Sequence, residues 1–373
     1  MTSATAMTTT EGRWWSPEGW LIGSCRHDEM VHDLSGDLTA VDDPYDKTKP
    51  TFLPGTVDLH VHGSGGHDVM SGEAAIRGML LSAAQNGTSA LLATSVTAKV
   101  SAIDSFLEAV HRVMENPDSD GARLLGAHLE GPFINPEKLG AQPPYALAVD
   151  LGQLERWLST GVVRVITFAP ELAEADAMVD MCDQFGVKAQ IGHTLCDWQT
   201  AVHSLRAGCG VTHLFNAMSG VAARAGGAAV AALAEANYAE IITDGIHVDE
   251  VAFNAARRAI PSLYSVTDAT AATAMPDGVY QLGDLRVHKE GHAVRLADGT
   301  LAGSCLTQLR SIEVLRQWGL DWYEIALRCS VLPARWIDDK SVGCIQAQVP
   351  ANWLEVVDDQ VAAIWLNGSR QPL

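Results

Sequence analysis

The chain has 373 residues, of which 47% are apolar and 19% charged, and 45 Asp and Glu against 25 Lys and Arg give a formal charge of -20. This length can bury a full core and still leave a small second unit, and the composition excludes a disordered chain. So acidic a surface repels nucleic acid and anionic membranes, so neither is expected as a partner. The apolar runs are broken by Gly, Asn or Thr well before they reach the length of a membrane span.

In chain order, residues 1–13 are Ser/Thr-rich and lack a basic start followed by an apolar stretch. They read as a disordered tail rather than a signal peptide. Residues 14–54 are polar and turn-rich, punctuated by Asp42-Asp43-Pro44 and Lys49-Pro50. Eight β-rich runs follow, at 56–62, 88–96, 124–130, 162–168, 188–193, 211–214, 240–244 and 263–268. Amphipathic helical patterns lie between several of them, for example at 101–115 and 251–259. Buried strands alternating with helices imply parallel βα units, and eight units predict a TIM-like (β/α)8 barrel over 55–339. A doubly wound sheet is the alternative, but no GxGxxG follows the first strand. From about Gly343, apolar runs at 353–357 and 361–366 read as further strands. Residues 14–54 and 340–373 are therefore expected to form a small β-sandwich from both ends of the chain.

Seven cysteines, Cys25, Cys182, Cys196, Cys209, Cys305, Cys329 and Cys344, have irregular spacing and no CxxC pair. This argues against a disulfide framework or a structural zinc site and fits a reducing cytoplasm.

Barrel active sites lie at the C-terminal ends of the strands. The predicted strands carry His60 and His62, then Glu130, His193, His213 and Asp268 at those ends. Residues two apart on a strand share a face, so both imidazoles of the His-Val-His run point the same way. Imidazole and carboxylate suit zinc, iron or another divalent transition metal. The absence of Cys points to an open site rather than a closed structural one. A cation in such a site lowers the pKa of water towards neutrality. Asp268 is then placed as general base towards the water and acid towards the leaving group. One isolated His is an ordinary core residue more often than a ligand; six potential ligands at the ends of five of the eight strands weigh against that reading.

Several segments are more specific. They are PGTVDLHVHG at 54–63, HLEGPFINP at 128–136, GHT at 192–194, THLFNAM at 212–218, TDGIHVD at 243–249, VTDA at 266–269 and LAGS at 301–304. On these the chain resembles the N-acetylglucosamine-6-phosphate deacetylases of the amidohydrolase superfamily. The resemblance implies a metal-bearing barrel with a small β-sandwich, and hydrolysis of the acetamide of a phosphorylated N-acetyl amino sugar. It implies that Glu130, His193 and His213 hold a principal metal, zinc first among the candidates. His60 and His62 would admit a second, with Glu130 bridging, and Asp268 would be the catalytic carboxylate. Ala141, Gln142, Asn216, Ala217, His247, Leu301, Ala302 and Gly303 would line the substrate site. Arg224 would bind phosphate, reaching into a neighbouring subunit of a homodimer.

Two departures stand out. The family usually reads Gly-Ala-His after its EGPF segment, where this chain has Gly140-Ala141-Gln142; Gln142 can donate a hydrogen bond but carries no charge. The Gly-rich pattern common near the family's C-terminus is interrupted after Ile345. Two rival functions are weighed against deacetylation. A cyclic-amide or N-acyl amino acid hydrolase often uses a carboxylated Lys between two metals, but no predicted strand ends in Lys. A non-catalytic sugar-phosphate sensor would lose its general base or a ligand, and neither is lost.

Overall fold

The computed structural model describes residues 6–43, 45 and 47–373. Eight strands, Thr56–Val61, Thr88–Ser95, Arg123–Glu130, Val163–Phe168, Lys188–Ile191, Gly210–Val211, Tyr238–Ile242 and Ser262–Val266, pair in that order, each parallel to the next. The first and last meet through a parallel bridge between Val61 and Ala269 and a hydrogen bond from Asp268 N–H to the His60 carbonyl at 2.9 Å. The sheet therefore closes on itself as a TIM-like barrel. Helices pack outside it, as Val100–Glu115 shows: Ile103, Phe106, Leu107, Val110 and Val113 are buried at helical spacing. Each such side chain contributes about 1.5–3 kcal/mol by leaving water.

The last four barrel strands stop short of their predicted ends. The ladder ends at Ile191, Val211, Ile242 and Val266 rather than at 193, 214, 244 and 268. The reason lies in the backbone. Two residues beyond three of these ends, after Ile191, Val211 and Val266, His193, His213 and Asp268 have φ of 48°, 29° and 52°, a left-handed conformation that no strand ladder accommodates. These ligand-type residues sit on the turn just beyond their strands.

A seven-stranded sheet draws on both ends of the chain. Its order is Ser369–Pro372, Gln360–Leu366, Trp353–Val357, Thr51–Pro54, Thr8–Ser16, Gly19–His27 and Val31–Thr39. All pairs are antiparallel except Thr8–Ser16 with Thr51–Pro54. It has its own apolar cluster, in which Trp14 stacks on Phe52 at 4.1 Å and meets the edge of Trp353 at 5.2 Å.

The tail expected over 1–13 needs correcting. Residues 1–5 lie outside the described residues, but Thr8–Ser16 is a strand paired along its length with Gly19–His27. Its outer half is polar and exposed, so main-chain pairing rather than apolar burial holds it there. The sequence reading also missed a three-stranded sheet, Gly278–Leu282, Leu285–Glu290 and Ala293–Arg295. It follows the last barrel strand and packs Leu282, Val287 and Val294 against Val96 and Ala302. Among the described residues no helix is long and apolar enough to cross a membrane. The seven cysteines are free.

Candidate metal centre

At the C-terminal end of the barrel lies a cavity of about 470 Å³. His62, Glu130, His193, His213 and Asp268 form its floor, with His60 just beneath at 0% exposure. Glu130 stands at the centre. Its Oε1 is 3.0 Å from His193 Nε2 and 2.9 Å from His213 Nε2, and its Oε2 is 3.2 Å from His62 Nε2. The His60 and His62 Nε2 atoms are 3.3 Å apart, and those of His193 and His213 are 3.2 Å apart. Asp268 Oδ1 lies 3.2 Å from His62 Nε2 and 3.5 Å from His60 Nε2.

These contacts fit a cation. Nδ1 of His62 faces the Thr94 carbonyl at 2.9 Å, and Nδ1 of His193 faces the Lys138 carbonyl at 3.0 Å. A carbonyl only accepts, so each Nδ1 donates and the neutral ring presents a lone pair at Nε2. Nδ1 of His60 likewise faces the Glu240 carboxylate at 3.0 Å. Lone pairs of nitrogen and carboxylate oxygen then converge at about 3 Å, which is unfavourable without positive charge between them. Two donor sets result, Glu130 with His193 and His213, and His60 with His62 and Asp268. Each can hold a divalent metal ion. His213 Nδ1 has no partner among the described residues.

The electrostatics agree. Burial lowers the pKa of His62, but hydrogen bonds to Asp268 and Glu130 and their charges more than offset it, raising it to about 9. His60 is raised well above its usual value, where burial is outweighed by the charges of Glu130, Asp268 and Glu240. Burial would raise the pKa of Glu130, yet with protons rather than a cation on these nitrogens the charge of His60 and hydrogen bonds from His193 and His213 hold it well below the usual carboxylate range. The carboxylates thus demand positive charge, which protons or metal ions can supply.

Above the floor, Ala141, Gln142, Asn216, Ala217, His247, Leu301 and Gly303 line the cavity. Ala302 is fully buried behind the wall. Gly303, at φ 53°, approaches so closely that a Cβ there would lie 3.0 Å from the Asp268 carbonyl. His247 is held by Asp244 at 2.7 Å. Burial lowers its pKa, but the hydrogen bond and charge of Asp244 raise it overall. Gln142 is fastened at both ends: its Oε1 accepts from the Thr97 N–H at 2.6 Å, and its Nε2 donates to Glu130 Oε2. Arg224 stands apart, in an exposed loop, and does not line the cavity.

Sequence reasoning missed several wall residues. Glu137, Lys138, Leu282 and Thr300 also face the cavity, and among the described residues Lys138 is the one Lys or Arg that does. Lys138 lies ten residues beyond the start of the HLEGPF segment, where charge alone gives no signal. Leu282 comes from the unpredicted three-stranded sheet, whose Gly283-Asp284 turn between alternating runs was a legible hairpin cue.

No protein-family profile matches the chain. It is 34% identical over 329 residues to N-acetylglucosamine-6-phosphate deacetylase of Vibrio furnissii, covering 85% of this chain and 82% of that one. It is 30% identical over 365 residues to N-acetylgalactosamine-6-phosphate deacetylase of Escherichia coli O157:H7, covering 94% and 95%. Among solved structures, a variant of N-acetyl-D-glucosamine-6-phosphate deacetylase from Mycobacterium smegmatis, in complex with N-acetyl-D-glucosamine-6-phosphate, superposes with a TM-score of 0.88 at 26% identity over 99% of both chains. A Xaa-Pro dipeptidase shares the fold alone, at 12% identity and a TM-score of 0.58. The chain belongs to the N-acetylglucosamine-6-phosphate deacetylase family, within the amidohydrolase superfamily.

Proposed function

We propose that this chain hydrolyses the acetamide of N-acetylglucosamine 6-phosphate to glucosamine 6-phosphate and acetate. The observation that carries this reading is the convergence of Glu130, His193, His213, His60, His62 and Asp268 on the floor of one cavity. Glu130, His193 and His213 would hold the principal cation, and His60 and His62, with Asp268, a second. Zinc suits this donor set, as do iron and other transition metals. When bound, a divalent cation acidifies the attacking water and polarises the acetamide carbonyl.

The protein's own groups do the rest. Asp268 accepts a proton from the water as its oxygen bonds to the carbonyl carbon. It then gives that proton to the amide nitrogen as the C–N bond breaks, releasing the amine and acetic acid, whose remaining proton passes to the amine so that acetate and the ammonium form leave. Its carboxylate is suited to begin as a base. Burial raises its pKa, but His60 and His62 lower it overall. Ala141, Gln142, Asn216, Ala217, His247, Leu301, Ala302 and Gly303 shape the sugar site. The raised pKa of His247 favours the charged ring beside a phosphorylated ligand. Arg224 would complete the phosphate site across a homodimer interface. Its loop is exposed, which leaves the guanidinium free to reach a neighbouring molecule. A cytoplasmic location fits a phosphorylated substrate and seven free thiols. The working division is a barrel of 55–339 and a small unit of 14–54 with 340–373.

The galacto-epimer is the second reading, favoured by the 94% coverage in the match to the E. coli enzyme. The test is acetate release by metal-loaded protein from both hexosamine phosphates, from unphosphorylated N-acetylglucosamine and from an N-acetyl amino acid. Preference for the gluco-phosphate is expected. Preference for the N-acetyl amino acid, or no release from any of the four, would sink the proposal.

A further inference from the structure

Beneath the cavity the barrel buries a charge that the reaction above leaves unused. Glu240, on the strand Tyr238–Ile242, has no exposed surface. A carboxylate so placed is costly unless it is paired and hydrogen-bonded. Its Oε2 accepts from His60 Nδ1 at 3.0 Å and from the His213 backbone N–H at 3.3 Å. Its Oε1 accepts from Gln190 Nε2 at 3.0 Å. The Tyr264 hydroxyl lies 3.4 Å from Oε1, but its proton has a closer acceptor in Gln190 Oε1 at 2.8 Å.

His60, His128 and Glu240 also come close enough to suggest a cation site of their own. Hydrogen bonding argues against it. His128 Nδ1 faces the Leu59 carbonyl at 3.0 Å and Nε2 faces Thr167 Oγ1 at 2.8 Å, so neither nitrogen is free to ligate. The Glu240 carboxylate is left to act on His60 and His213, which belong to the two different donor sets above it.

We infer that Glu240 is a positioning residue for the second cation: it locks His60 in the tautomer whose Nε2 lone pair faces His62 and Asp268, and it pins the turn that carries His213. An acceptor at Nδ1 fixes ring orientation and makes the opposite nitrogen a better ligand. Because His60 is the ligand whose ring it holds, its effect falls mainly on the set of His60, His62 and Asp268. His193 and His213 do not take their ring orientation from Glu240. This inference rests on the two-cation form of the proposed function.

The test counts metal rather than turnover. Full-length protein is stripped and titrated with zinc, bound zinc is measured by elemental analysis after gel filtration, and affinities are read by chelator competition. Wild type is expected to bind two equivalents. Glu240→Gln keeps the shape but removes the charge, and should weaken the second equivalent by roughly 10- to 100-fold while sparing the first. Tyr264→Phe, which disturbs the same network without altering its charge, should leave both in place. If Glu240→Gln does not fold, Glu240→Asp replaces it, since it withdraws the same charge by one methylene and should also weaken the second equivalent. Unchanged affinities, or equal loss of both equivalents, overturn the inference. A wild type that binds one equivalent yet releases acetate overturns it too, while leaving the proposed function standing.

Discussion

The floor of the cavity and its rim differ in how they are held. On the floor, His60, His62, Glu130, His193 and His213 are each at most 4% exposed, and all but one ring has its Nδ1 engaged by a named partner. At the rim, Glu137 and Thr300 are exposed, and Arg224 stands outside the cavity on a loop of its own. The floor needs nothing from outside the chain except metal. Among the described residues, the rim presents Lys138 and His247 as its basic groups, against a formal charge of -20. The groups proposed for bond cleavage thus sit together on a buried floor, whereas the groups proposed for holding an anion are spread over an exposed rim and a separate loop.

Four experiments press on that contrast. Removing metal with a chelator should abolish acetate release, and adding back zinc should restore it; turnover that survives complete stripping would show that the floor works otherwise. Asp268→Asn should cut kcat by roughly 10²- to 10⁴-fold, the usual worth of a general acid–base group, with the cation of Glu130, His193 and His213 retained by elemental analysis and any loss of metal confined to the second equivalent. Near-normal turnover would remove Asp268 from its role. Arg224→Ala should act on binding instead. Loss of hydrogen bonds to a charged group, about 1.5–3 kcal/mol, corresponds to roughly a 10- to 150-fold rise in KM with kcat little changed. A fall in kcat at constant KM would place Arg224 elsewhere. Gln142→His should have the smallest effect, because either side chain offers an N–H towards Glu130. A change in kcat/KM within about fivefold matches one ordinary hydrogen bond of about 1 kcal/mol; a change of orders of magnitude would mean that the amide does more than hold Glu130.

The sequence revealed the floor better than the rim, for physical reasons. Strand-end His and Glu residues stand out because buried apolar runs frame them, and the start of every barrel strand fell within two residues of its predicted place. The ends of the last four strands were misplaced. His193, His213 and Asp268 leave the ladder through a left-handed backbone, and nothing in an L-residue's side chain announces that. Glu240 was read as the start of a strand. Its role could not be read because its partners, His60, Gln190 and the His213 backbone, are brought to it only when the barrel closes. Residues 8–13 looked like a tail because the strand they form is exposed and polar on its outer half. The wall supplied by Leu282 was hidden with the small sheet that carries it.

The sheet shared by the two ends of the chain has a consequence for the order in which the molecule can be completed. Thr51–Pro54 pairs with Thr8–Ser16 on one edge and with Trp353–Val357 on the other, and it runs straight on, through a hydrogen bond from Gly55 N–H to the Asn352 carbonyl, into the barrel strand that carries His60. During synthesis every proposed ligand emerges from the ribosome more than eighty residues before Trp353 does. Until that segment arrives, the root of the first barrel strand keeps one open edge, a site for mispairing with another chain. A polypeptide stopped short of Trp353 would carry all six ligand-type residues and still lack the clasp that holds the first pair of them in register.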